Sequence, residues 1–276
     1  MASNYPGSLD SFDTIASDKK TSDAVGGRTH RQMHNDLGDA VEAVQAELGT
    51  DPAGGYATVK ARLDALVAYA AKTGAYTATV ADHTLNVTSG TFTLDLPAAS
   101  TCTGQSLKVK NSGTGVVTLD GNSSETVEGV ATFPLGPGSY VEITSTGSAW
   151  ILTGGTPDTG CRSLTGVTMQ NGWTIQYSQH YIRRTGNVVD YYALVNNTSA
   201  TADTFYTVPY GFRPVGIATE TVWSQDAAKF WRFEIPSSGE AQIVSYNTHA
   251  AGTFAYLQTT WSTNDPWPSS LPGTAA

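Results

Sequence analysis

The sequence predicts a mixed, mainly β protein: an extended N-terminal arm and short coiled-coil helices, then a small antiparallel β module, then a C-terminal jelly-roll-like β-sandwich. Three observations predict it. Charged residues make up 14% of the 276, where a typical soluble domain carries roughly 25%. Threonine occurs 39 times, as often as Lys, Arg, Asp and Glu together. Apolar spacing follows a heptad between His30 and Ala70 and a period of two from residue 75 onward. With 39% hydrophobic and 10% aromatic residues the chain can fill cores. Polar faces built from hydroxyls suit an extracellular or particle-surface protein.

Residues 1–28 read as an extended arm, polar and turn-rich, with Tyr5-Pro6-Gly7-Ser8 and Gly26-Gly27 and a few apolar residues (Leu9, Phe12, Ile15, Val25). Residues 29–74 read as a helical coiled-coil region. Thr29 is a candidate N-cap, and the first helix stops at Gly49-Thr50-Asp51-Pro52. His30, His34, Leu37, Val41, Val44 and Leu48 form an a/d seam. Val59, Leu63, Leu66 and Ala70 continue the same spacing through a second helix that ends near Lys72-Thr73-Gly74. So narrow a stripe suits self-association around an axis better than a globular helix. An intramolecular hairpin through Pro52–Gly55 is the alternative.

Residues 75–155 read as the antiparallel module. Its short strands (Tyr76–Val80, Thr91–Leu96, Leu107–Lys110, Val116–Leu119, Tyr140–Ile143) are punctuated by Ser89-Gly90, Asn111-Ser112-Gly113, Asp120-Gly121-Asn122 and Gly136-Pro137-Gly138. Residues 156–276 read as an aromatic-rich head with an extended tail. The head holds 18 of the 27 aromatic residues and eight strand candidates between Trp173 and Thr260. Tyr191-Tyr192 and Phe230-Trp231-Arg232-Phe233 alternate faces, so one member of each pair points inward.

Composition excludes some classes. A net charge of −9 leaves no basic face for nucleic acid. No run approaches the ~18 apolar residues of a membrane span, and Met1–Gly7 lacks the basic start and apolar run of a secretory signal. Cys102 and Cys161 read as two buried free thiols. His30 and His34 sit one helical turn apart, but Glu and a third ligand are missing, so they read as polar core layers and no metal or other cofactor is expected. Head carboxylates (Asp190, Asp203, Glu220, Asp226, Glu234, Glu240, Asp265) leave a glycosidase pair open. There is no Gly-x-Ser-x-Gly elbow, phosphate loop or long β-helix repeat, so the chain reads as non-enzymatic. Trp223, Trp231, Trp261 and Trp267, with Arg183, Arg213 and Arg232 as polar partners, are the candidate receptor surface.

Three sets of residues carry a resemblance. Tyr5–Phe12, His34–Thr50 and Tyr56–Leu63 resemble the N-terminal region of phage tail fibre or minor tail proteins, especially those of actinobacterial phages. Gly104–Gly115 with Gly147-Ser148-Ala149-Trp150 resembles a small β module of phage fibres. Arg184–Val189 and Pro209–Pro214 resemble the C-terminal heads of such fibres. The resemblance implies a homotrimer located on the virion surface. The arm would dock to other tail or capsid proteins, and the head would meet a host-surface glycan or protein. The chain is short for a tail fibre and has no long shaft. A non-adhesive tail-tip, baseplate or capsid fibre is therefore the alternative, and a secreted glycan-binding or glycan-hydrolysing protein a further one.

Overall fold

The computed structural model describes residues 30–54, 57–65, 68–197, 204–223, 230–245 and 252–276. The chain divides into two units, residues 1–67 and 68–276. The arm predicted over 1–28 and Leu66 lie outside the described residues.

In the first unit, α1 (His30–Leu48) is closed by Gly49 in the left-handed region, whose N–H donates to the Gln45 carbonyl at 2.9 Å. A second helix, α2 (Val59–Ala65), is capped by Thr58, whose Oγ1 accepts from the Ala61 N–H at 3.0 Å. The predicted extension of α2 to 72–74 is corrected. Residues Tyr69–Lys72 form strand β1 instead, because parallel pairing with Thr84–Val87 satisfies their backbone and seats Ala70 against an apolar core.

The second unit opens with six short strands: β1, β2 (Tyr76–Thr77), β3 (Thr84–Val87), β4 (Phe92–Asp95), β5 (Ser106–Asn111) and β6 (Val117–Asp120). They alternate between two sheets. β1, β3 and β5 are parallel neighbours in one, and β2, β4 and β6 are parallel neighbours in the other. This is a three-rung solenoid, and it corrects the predicted antiparallel module. The turn at Ser89-Gly90 does not close a hairpin; it corners the chain onto the other sheet. Three strands then run antiparallel beyond the last rung: β7 (Thr132–Leu135) beside β6, β8 (Tyr140–Ser145) beside β5, and β9 (Trp150–Thr156) beside β8. Leu85, Leu94, Val109, Leu119, Phe133 and Ile143 fill the space between the sheets.

The head contains β10 (Arg162–Ser163), β11 (Trp173–Thr185), β12 (Val188–Asn197), β13 (Thr204–Thr207), β14 (Ala218–Trp223), β15 (Phe230–Ile235), β16 (Glu240–Ser245), β17 (Thr253–Ser262) and β18 (Thr274–Ala275). These form a five-stranded sheet of order β17-β12-β11-β10-β18 and a four-stranded sheet of order β13-β16-β15-β14. Both sheets contribute to one core. Ile182, Tyr191, Ala193 and Leu257 come from the first, and Phe205, Trp231, Phe233 and Ile243 from the second.

Two joints tie the solenoid to the head. At the first, Asp158 takes the Arg183 guanidinium at 3.0 and 2.5 Å, while its N–H donates to Ser139 Oγ and its carbonyl accepts from Gly136. A Cβ at Gly136 would stand 2.2 Å from the Thr159 carbonyl carbon, so only glycine allows this approach. At the second, the tail returns from β17 across the solenoid. Trp267 enters the solenoid core, stacks on Phe133 at 5.2 Å and donates Nε1–H to the Pro134 carbonyl at 2.8 Å. Arg184 donates to the carbonyls of Gly186, Gly211, Asp265 and Pro266, with its guanidinium over the Trp267 ring.

Candidate functional site

Three of the four predicted receptor tryptophans, Trp231, Trp261 and Trp267, are corrected by their burial. Trp231 lies in the head core, Trp261 donates Nε1–H to the Phe212 carbonyl at 2.7 Å, and Trp267 pins the tail. Their large apolar area is used inside, so they form no solvent-facing surface. Trp223 ends β14, and its side chain lies outside the described residues. Arg213 stacks on the Tyr210 ring at 5.5 Å, and Arg232 pairs with Glu234 at 2.5 Å on the outer side of the four-stranded sheet. Arg183 lies on the outer side of the five-stranded sheet, held by Asp158, so the three arginines do not converge. The hydrogen bonds that Arg183 donates to the Asp158 carboxylate hold its pKa above the ordinary value. Cys102 is buried as expected, but Cys161 is exposed; both are free.

A cleft of about 440 Å³ opens at the second joint, lined by Glu128, Phe133, Arg184, Asn187, Asp265 and Trp267 among others. Burial lowers the Arg184 pKa, with Asp265 opposing. Its donors are spent on main-chain carbonyls and Trp267 is 5% exposed, so this cleft is a structural joint that offers a ligand little ring surface.

A different face gathers exposed aromatic surface. On β11, β12 and β17 the core takes Ile182, Tyr191 and Leu257, so the alternate residues point out. In register, Ser163, Tyr181, Tyr192 and Gln258 form one row across the sheet, and Arg183, Asp190 and Thr260 form the next. Tyr256 follows on β17 and is 55% exposed. The Tyr181 and Tyr192 rings stack at 6.3 Å. Beside them β11 bulges between Ile175 and His180, with Tyr177 and Ser178 in the left-handed region at φ +50° and +55°. The bulge is braced: Tyr181 Oη donates to the Ser178 carbonyl at 3.1 Å and Tyr192 Oη to Gln179 Oε1 at 2.8 Å. Tyr177 is left 77% exposed. Rings, amides and one carboxylate with Oδ1 held by Thr260 at 2.8 Å make a surface for stacking and hydrogen bonding. Strand parity is the signal that finds it, because Tyr181, Tyr192 and Tyr256 fall out of phase with the core residues.

On α1 the seam residues Leu37, Val44 and Leu48 are exposed and Val41 half-buried, while on α2 Leu63 is exposed and Val59 half-buried. His34 is exposed, and the His30 side chain lies outside the described residues. Among the described residues no three His, Cys, Asp or Glu side chains gather as metal ligands, and no helix is long and apolar enough to cross a membrane. No protein-family model matches this sequence, and no curated protein matches it.

Proposed function

We propose that this chain is a homotrimeric, non-enzymatic appendage protein of a phage particle. Its arm attaches to other virion proteins, its helices trimerise, and its jelly-roll-like head contacts the host surface. The observation that carries the reading is the seam on α1: Leu37, Val44 and Leu48 keep heptad spacing and are exposed in the single chain. A 19-residue helix spans only ~29 Å and is marginal alone. Covering each seam side chain in a trimer contributes roughly 1.5–3 kcal/mol. The joints at Asp158 and Trp267 further suit a rigid stalk-and-head body, and three heads on one stem turn weak contacts into avidity.

Light scattering on the purified full chain tests this. The expected mass is about 87 kDa, three times the 29.0 kDa chain. The Leu37→Glu/Val44→Glu double variant should run as a monomer with its β-sheet circular dichroism unchanged. A monomeric wild type, or a trimer that ignores both glutamates, would overturn the proposal.

A further inference from the structure

We propose that the outer face of the head's five-stranded sheet, centred on Tyr177, Tyr181, Tyr192 and Tyr256 with Gln258 and Asp190, binds a neutral saccharide. The inference rests on the reading of the chain as a host-contacting appendage. Trp173, Trp231, Trp261 and Trp267 are buried, yet Tyr181, Tyr192 and Tyr256 turn outward on one face where threonine would serve as a polar strand residue, and the adjoining bulge exposes Tyr177. It also holds two adjacent non-glycine residues in the left-handed region, a conformation that costs roughly 1–2 kcal/mol for each L-residue. Such strain persists only where surrounding contacts over-determine it. Here the Tyr181 and Tyr192 hydroxyls do so, and the outcome is an exposed Tyr177 ring.

The chemistry of the face selects the ligand. Tyrosine rings offer flat apolar faces against which the C–H side of a sugar ring packs. Between and beside them lie an amide (Gln258), a carboxylate (Asp190) and hydroxyls (Thr260, Ser163), which pair with sugar hydroxyls. An apolar protein surface laid here would strip water from the Gln258 amide and the Asp190 carboxylate, at a cost of about 1–3 kcal/mol each. The cation on the face is already spent, since Arg183 is bonded to Asp158 through two nitrogens. A chain of net charge −9 also repels polyanions. Phosphate-rich and uronate-rich polymers are therefore disfavoured, and a neutral glycan fits.

The test is affinity electrophoresis of the full chain in native gels containing dextran, mannan or galactan, three neutral polymers of different hexoses. At least one should retard the protein. Tyr177→Ala and Tyr256→Ala should each weaken that retardation about tenfold, and Tyr177→Phe should keep most of it, because the ring and not its hydroxyl does the stacking. Thermal unfolding and oligomeric mass, measured on the same samples, should match wild type. Migration unaffected by all three polymers, or retardation that both alanine variants retain, would refute the site. Binding to actinobacterial cells that survives periodate oxidation of the cell glycans would also refute it while leaving an adhesive appendage intact. A monomeric chain still retarded by polysaccharide would instead remove the trimeric fibre and keep the site.

Discussion

Acid should loosen the head through one imidazole. His180 points from β11 into the core with no exposed surface. Its Nε2 lies 2.9 Å from Tyr191 Oη, and the rings of Tyr191 and Tyr206 stand edge-on at 5.4 and 4.8 Å. Burial pushes its pKa from 6.5 down to about 4, and a backbone hydrogen bond at Leu164 offsets only part of that. The sign follows from proton counting. Between pH 6.5 and 4 the unfolded imidazole is protonated and the folded one is not, so the unfolded state binds more protons and stability falls as pH falls. Above 6.5 neither state is protonated and below 4 both are, so the loss is confined to that window. Lowering one imidazole from 6.5 to about 4 is worth about 3 kcal/mol at 1.36 kcal/mol per pH unit. The assay is urea unfolding followed by tryptophan fluorescence, which reports chiefly the head because four of the six tryptophans (Trp173, Trp223, Trp231, Trp261) lie on its strands, while Trp150 and Trp267 sit in the solenoid core. Carboxylates titrate in the same range, so the comparison is with His180→Gln, whose amide still reaches Tyr191 and carries no titration. Wild type should lose about 3 kcal/mol more than the variant between pH 7 and pH 4. Parallel pH profiles for the two proteins would refute the reasoning.

Trp267→Ala removes the stack on Phe133 and the bond to Pro134, 133 residues away in sequence. The expected cost is about 3–5 kcal/mol, and hydrogen exchange of the β7 amides, distant along the chain, should accelerate as the joint opens. Unchanged β7 exchange would show that the tail does not hold the solenoid. Ser178→Gly should stabilise the head by about 1 kcal/mol, because glycine adopts the left-handed conformation freely. A lower melting temperature would show that the bulge is not strained.

Much of the head is legible in the sequence because antiparallel strands with one buried face write their geometry as a period of two. The predicted strands at Val188–Val195, Phe205–Val208 and Ala241–Tyr246 fall on β12, β13 and β16, and the Tyr191-Tyr192 pair splits between core and surface as alternation requires. The solenoid is less legible for a physical reason. A rung strand of four residues, such as Thr84–Val87, alternates like a hairpin strand. What differs is its partner, which is the strand two elements away. No local turn chemistry distinguishes a glycine that closes a hairpin from one that corners the chain onto a second sheet. The helix-to-strand boundary at Ala65–Tyr69 is hidden likewise: Ala70 continues the heptad register of Val59 and Leu63, and only pairing to Thr84–Val87 decides its state.

Residue type alone points to the tryptophans and arginines of the head as receptor contacts, and Trp231, Trp261 and Trp267 are buried for a general reason. A buried indole can place its single N–H on a main-chain carbonyl at a turn or strand end. Trp261 finds Phe212 and Trp267 finds Pro134, which makes each a pin between segments far apart in sequence. Tyrosine on a strand has a second option, because its hydroxyl can stay near water while the ring lies half-exposed. In a chain with so few charges, an exposed surface must gain its specificity from rings, amides and hydroxyls. The informative question is therefore which aromatic residues fall out of phase with the core. Tyr181, Tyr192 and Tyr256 do so on three adjacent strands, and the exposed Tyr177 lies in the bulge that breaks the register of β11. A bulge tied to an existing tyrosine row through Ser178 and Gln179 is the arrangement expected when the surface, and not the core, sets the local backbone.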